Sequence, residues 1–164
     1  MPSNPVEALS ILPARGRLLG LDLGSKTIGL ALSDSLRTVA SPLETIRRRK
    51  LFQDVERLQL LIADRQPVGL ILGLPVNMDG SEGPRCQSTR QFARNIAERG
   101  IDLPVAFWDE RLSTAAVERF LVEEADMTRA RREEVVDRMA AAYILQGALD
   151  ALSRQGAGQG VSPP

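Results

Sequence analysis

The chain has 164 residues, 21 Lys plus Arg against 21 Asp plus Glu, one cysteine (Cys86) and no histidine. That length makes one domain with one core and leaves no room for a second full-sized domain. Without an imidazole the chain cannot build Ser-His-Asp or Cys-His nucleophilic sites or the usual zinc sites, so any catalysis rests on carboxylates, lysine, hydroxyls or a metal held by oxygen.

A single thiol excludes an internal disulfide and fits a reducing, cytoplasmic compartment. An apolar fraction of 43% with 26% charged residues is that of a globular protein. No stretch approaches the ~20 apolar residues of a membrane span, so no membrane is expected as a partner. Residues 1–17, with Pro2, Pro5 and Pro13, read as a flexible N-terminal extension, and residues 18–152 as the working domain. Residues 153–164 (SRQGAGQGVSPP) have nothing to bury and read as a disordered tail.

In chain order, residues 18–23 and 27–33 are apolar strands joined by a tight turn through Gly24, Ser25 and Lys26, an antiparallel hairpin. Residues 38–46 supply a third strand interrupted by Pro42. From Leu51 the period changes. Leu51, Phe52, Val55, Leu58, Leu61 and Ile62 recur at helical spacing, which predicts an amphipathic helix. Residues 68–72 form a continuous apolar run ending at Gly73, as a strand buried on both faces would. A polar loop (77–83) precedes a helix over 85–98 around Phe92, Ala93, Ile96 and Ala97. Residues 105–110 are a further strand, Ser113 or Thr114 caps a short helix through Val122, and 134–152 form an Ala-rich final helix. The order predicts an α/β fold: a mixed sheet with an antiparallel edge and helices on its faces.

In such sheets sites form outside the carboxyl ends of the strands. Asp22 interrupts the apolar run of the first strand, where a carboxylate must find a metal, a donor or water to offset desolvation. Gly24 just after it permits close approach to the backbone. Asp109 and Glu110 end the strand VAFWDE and point to opposite faces, so only one of them can join Asp22. Asp137 lies near the start of the last helix, and Ala140 and Ala141, three and four residues on, let that helix sit close to the sheet. Taken singly, each acid also reads as ordinary surface charge, Asp137 as a complement to the helix dipole and Asp109 or Glu110 as a strand end beside Arg111. Together, with histidine absent, the carboxylates suit a hard cation, Mg²⁺ or Mn²⁺. Two such ions about 4 Å apart activate a water and stabilise the leaving oxygen of a phosphodiester.

Four segments carry a resemblance: LDLGSKTIGLALSD (21–34), GLPVNMDGSEGPR (73–85), DERLST (109–114) and VDRMAAAYILQ (136–146). Their order and spacing over residues 18–152 resemble the YqgF family, also called RuvX, a bacterial group in the RNase H-like superfamily beside the RuvC Holliday junction resolvases. The resemblance implies an RNase H-like α/β fold, a five-stranded mixed sheet with its first three strands antiparallel, flanked by helices. It implies a metal-dependent endonuclease in 5′-end maturation of precursor 16S rRNA, using two Mg²⁺ or Mn²⁺ ions. By motif position the catalytic, metal-holding acids are Asp22, Glu110 and Asp137, and Lys26, Asn77 and Arg111 are substrate contacts. Asp79 lies in the same loop as Asn77, and both also read as turn chemistry in an Asn-x-Asp-Gly loop. Arg138 departs from the small or apolar residue expected after the motif's aspartate.

The implied partner is precursor rRNA, bare or within a ribosomal particle, and the protein a monomer or weak homodimer. Net charge is zero, so grip on nucleic acid rests on local basic runs, Arg47, Arg48, Arg49 and Lys50, and Arg129, Arg131 and Arg132, each of which reads equally as a solvated loop. At 4% aromatic content base stacking is not the main mode, and Trp108 reads as buried under a helix. Two other readings stand beside this one. A Holliday junction resolvase acting on branched DNA would need a dimer to cut symmetrically. A non-catalytic nucleic-acid-binding module would have no use for three retained acids.

Overall fold

The computed structural model describes residues 9–112 and 128–159. The expected hairpin is formed by Leu18–Leu23 (β1) and Thr27–Ser33 (β2), with Asp22 opposite Gly29. The Gly24 N–H donates to the Thr27 carbonyl at 2.8 Å and closes the turn. Ala40–Arg47 (β3) pairs antiparallel with β2, and the register slips where Ala31 meets Pro42. Proline has no N–H to give a ladder, which suits an edge strand. Gly69–Leu74 (β4) and Val105–Asp109 (β5) run parallel to β1, giving the order β3-β2-β1-β4-β5. The five-stranded mixed sheet with its first three strands antiparallel is therefore as expected.

Among the described residues three α-helices cover the sheet: Leu51–Arg65 (α1), Pro84–Glu98 (α2) and Arg129–Gln159 (α3). Side-chain alternation divides the core in two. Leu19, Leu21, Leu30, Leu70 and Leu72 face Val55 and Leu58 of α1 and Phe92 and Ile96 of α2. Leu18, Ala31, Ile71, Ala106 and Trp108 face Ala141, Ile144, Leu145 and Ala148 of α3. Each fully buried leucine contributes roughly 1.5–3 kcal/mol. β4 is buried at all 6 of its residues, as its unbroken apolar run predicts.

Both ends differ from expectation. α3 begins at Arg129 and runs to Gln159, past the expected end at 152. Leu149 and Ala151 are at most 2% exposed and dock the helix on the core there, and no proline stops it before Pro163. At the other end Leu9–Ile11 forms a short 3-10 turn, with Leu9 and Leu12 only 1% and 8% exposed in the α3-side core. Arg37 donates to the Gly16 carbonyl from Nε at 2.7 Å and to the Pro13 carbonyl from Nη2 at 2.6 Å, tying this segment to the β2–β3 turn. Leu9 and Leu12 thus join the packed core, while Pro13, Ala14, Arg15 and Arg17 stay exposed. The helix expected from Ser113 or Thr114 to Val122 lies outside the described residues. No described helix is long and apolar enough to cross a membrane.

Candidate active site

The site begins with a row of three residues on neighbouring strands, at the carboxyl end of β1. Asp22 pairs with Gly29 of β2. On its other side β4 runs in register from Leu18↔Gly69 to Leu21↔Leu72, so one further step sets Asp22 beside Gly73. Paired residues share a face, here the face under α3, and adjacent strands are about 4.8 Å apart. Asp22, 3% exposed, is thus flanked by glycines whose missing side chains leave room above the sheet.

Both vacant places are filled by a group bearing another acid. A Cβ at Gly29 would overlap the backbone carbonyl of Asp137. A Cβ at Gly73 would stand 2.9 Å from Glu110 Oε1 and 3.2 Å from Glu110 Cγ. The close seat of α3 follows from its small residues, Ala140 and Ala141 being 1% and 0% exposed against the sheet. Asp137 lies more than two turns into α3, beyond the reach of the helix's terminal partial charge. Its carboxylate accepts a hydrogen bond from the Thr27 hydroxyl, which shares the face of Gly29.

The structure also separates Glu110 from Asp109. Gly73 pairs with Trp108, both on the α3 face, and Glu110, two residues on, returns to that face. Asp109 points away and is held by Arg111, whose Nη2 lies 2.6 Å from Oδ2 and whose backbone N–H lies 2.9 Å from Oδ1. The Asp109 carboxylate lifts the Arg111 guanidinium above its ordinary range. Arg111 Nη1 also reaches the Met78 carbonyl at 3.3 Å, so the residue ties the end of β5 to the loop after β4.

Within that loop Asn77 and Asp79 do perform turn chemistry. The Asn77 N–H donates to the Ser81 carbonyl at 2.9 Å, and the Ser81 hydroxyl and N–H donate to Asp79 Oδ1 at 2.6 and 2.9 Å. Those bonds hold the Asp79 carboxyl below its ordinary value. Lys26 is exposed on the β1–β2 turn, and Asn77 borders the same groove as Glu110 and Arg111. The run Arg47 to Lys50 is exposed, with Arg47 engaged by Glu134 at 2.9 Å. Arg129, Arg131 and Arg132 open α3, and their side chains lie outside the described residues.

An all-oxygen donor set of this kind is the type a hard divalent cation takes. As the side chains stand, no three His, Cys, Asp or Glu among the described residues are close enough together to hold a metal ion. Asp22, Glu110 and Asp137 meet through their backbone positions and through the glycines between them, while the Asp137 carboxylate is turned onto Thr27. Sequence reading does not reach Thr27, Gly29 or Gly73. Their only signal is period two: Thr27 and Gly29 occupy the alternation of the strand that pairs with Asp22.

Comparison with known proteins agrees with this architecture. The chain aligns with a protein of Rhodospirillum rubrum named "Putative pre-16S rRNA nuclease", 67% identical over 144 residues, covering 88% of this chain and 89% of the relative. A protein of the same name from Paramagnetospirillum magneticum is 66% identical over 147 residues, covering 89% and 93%. Among solved structures, T. thermophilus RuvC bound to a Holliday junction superposes with a TM-score of 0.54 at 15% identity, covering 86% of this chain and 96% of that one. The yeast mitochondrial Holliday junction resolvase Ydc2 gives 0.55 at 12% identity, covering 94% and 86%. At such identities the likeness is one of fold, the RNase H-like fold of the resolvases. The family model RuvX, described as a Holliday junction resolvase, matches residues 16–151, a span that holds all five strands and all three acids, and the chain belongs to that family.

Proposed function

We propose that the protein is a metal-dependent endonuclease that hydrolyses phosphodiester bonds in the 5′-end maturation of precursor 16S rRNA. One observation carries the reading: a buried carboxylate, Asp22, at the carboxyl end of the central strand, with Glu110 and the backbone of Asp137 seated over the glycines on either side of it. The names of the relatives at 67% and 66% identity support an RNA precursor as substrate.

In this reading Asp22, Glu110 and Asp137 are the catalytic acids and would hold Mg²⁺ or Mn²⁺, two ions in the full arrangement. Cations bound there supply a water of lowered pKa and stabilise charge on the leaving oxygen, giving a 5′-phosphate and a 3′-hydroxyl. The chain's own part is positional. Asp22 is fixed by the strand, Thr27 orients Asp137, and Gly29 and Gly73 keep the space between the acids open. Lys26 on the exposed β1–β2 turn, and Asn77 and Arg111 beside Glu110, would contact phosphate, with Arg111 placed by Asp109. The protein would work in the cytoplasm, as a monomer or weak homodimer, on bare precursor or on a ribosomal particle.

The test compares wild type with Asp22→Asn on precursor rRNA and on a four-way DNA junction, each with Mg²⁺ or EDTA. Wild type should cut the precursor only with Mg²⁺, and the variant should be slower by about two orders of magnitude or more. Equal cleavage by both proteins removes Asp22 from the mechanism, and cleavage in EDTA removes the metal. Cutting of the junction alone moves the function to branched DNA.

A further inference from the structure

Beside the acidic row, on the opposite face of the sheet, a cleft of about 260 Å³ opens between the β1–β2 turn and the first two turns of α2. Ser25, Arg48, Arg85, Ser88, Thr89 and Phe92 border it, and no carboxylate stands among its described lining residues. It starts immediately after Asp22, since Leu23 and Gly24 form one wall. Two guanidiniums beside the Ser25 and Ser88 hydroxyls, with no acid, make a cationic lining that suits a phosphate oxygen and repels a cation, while the Thr89 hydroxyl is already given to the Arg85 carbonyl at 3.0 Å.

Among the described residues, neither arginine of the cleft is spent on a carboxylate. Arg47, Arg57, Arg90 and Arg111 are each bound to a carboxylate, whereas Arg48 and Arg85 enter no ion pair among the described residues. Arg48 is held in place without losing its charge. Its Nη1 donates to the Gly24 carbonyl at 2.7 Å, its backbone N–H donates to the Lys26 carbonyl at 2.8 Å, and its guanidinium lies 5.7 Å from the centroid of the Phe92 ring. A guanidinium held in this way gives up little further rotamer freedom when a ligand arrives. Phe92 is 4% exposed and covered by Arg48, so the cleft has no open aromatic face on which to stack a base.

Arg85 also lines the larger groove, about 730 Å³, that contains Glu110, Arg111 and Asn77. The two spaces therefore share a wall, and a strand lying over Glu110 leads past Arg85 into the cleft. We propose that this cleft is a phosphodiester subsite, in which Arg48 and Arg85 together grip one backbone phosphate of the substrate strand, displaced along the strand from the phosphate that is cut. The proposal rests on the nuclease reading above and narrows the basic run at residues 47–50 to one residue with a defined task.

The experiment measures binding of labelled precursor rRNA in EDTA, across a salt series, to wild type, Arg48→Ala, Arg85→Ala, the double variant and Arg65→Ala. A parallel arm uses a four-way DNA junction. Each single variant should bind several-fold more weakly at ~0.1 M salt. The double variant should show a slope of log affinity against log salt shallower by about 0.7, the value of one single-strand phosphate contact. KM should rise while kcat stays within about twofold, and Arg65→Ala, remote from the cleft, should match wild type. Arg85 is exposed and makes no side-chain bond to a described residue, so its variant should melt like wild type and keeps the test valid even if Arg48→Ala loosens the turn. A double variant with the wild-type slope and affinity overturns the subsite, and so does a slope change worth two phosphates. A wild type that binds and cuts neither substrate instead overturns the nuclease reading.

Discussion

The backbone carbonyl of Asp137 rests on the Cα of Gly29, where any Cβ would overlap it. Because Gly29 is the strand partner of Asp22, the same contact that seats α3 on β2 sets Asp137 beside Asp22. A methyl group at position 29 meets backbone on the facing helix, which cannot rotate away, so α3 must lift. Gly29→Ala is expected to destabilise the protein by about 2 kcal/mol in urea unfolding, the usual scale of overpacking. It should also slow cleavage by more than tenfold. An unchanged midpoint and rate would mean that α3 does not need this contact.

Thr27 offers a separable test of how Asp137 is held. Its side chain is buried, at 9% exposure, and its hydroxyl donates to the Asp137 carboxylate. Thr27→Val keeps the shape and removes the donor to a charged acceptor, a loss of about 1.5–3 kcal/mol. Thr27→Ser keeps the donor and should stay within about 1 kcal/mol of wild type, since it forfeits only a methyl group. Equal losses for the two variants would assign the effect to packing and not to the hydrogen bond.

Much of this was legible because it is local. Period two gave the hairpin, period 3.6 gave α1 and α2, and Asp22 stood out as a carboxylate in an apolar strand. What stayed hidden is long-range. Alternation puts Asp109 and Glu110 on opposite faces without saying which face holds Asp22; the motif resemblance selects Glu110, and the β1–β4–β5 register supplies the physical reason. Thr27 and Asp137 are 110 residues apart, so neither announces the other. Residues 153–159 have the composition of a loose tail yet remain helical, because Leu149 and Ala151 anchor the turns before them. Leu9 and Leu12 sit in a run too short to mark an element, and their burial is decided by the core they meet.

Gly73 should respond differently from Gly29. A Cβ there would stand 2.7 Å from Ile144 Cδ1 and 2.9 Å from Glu110 Oε1, both far ends of flexible side chains. Rotation relieves the clash, so Gly73→Ala should cost no more than about 1 kcal/mol in stability. The relief moves the Glu110 carboxylate, and kcat should fall at least tenfold. A variant that loses stability but keeps its rate would separate Glu110 from the chemistry.

The last expectation concerns acid. Arg90 donates to Glu82 through Nε at 2.8 Å and Nη2 at 3.0 Å, and its guanidinium lies 4.8 Å from the centroid of the Phe107 ring. The Arg90 hydrogen bond holds the Glu82 carboxyl below its ordinary value of 4.5, and Glu82 lifts the Arg90 guanidinium above its ordinary range. A carboxyl depressed in the folded state stabilises the fold above its unfolded pKa, and that contribution is lost as pH falls through the folded pKa. The pair is therefore at full strength at neutral pH and fades only on acidification below 4.5. With the side chains 22% and 34% exposed, solvent screening limits its contribution to about 1 kcal/mol. Arg90→Ala should lose about that much at pH 7, plus the ring contact. The gap to wild type should narrow as Glu82 is protonated in both proteins, and the Glu82 midpoint, followed by NMR, should move up toward 4.5 in the variant. A gap that widens in acid, or a Glu82 midpoint indifferent to Arg90, would show that the pair does not act on the fold in this way.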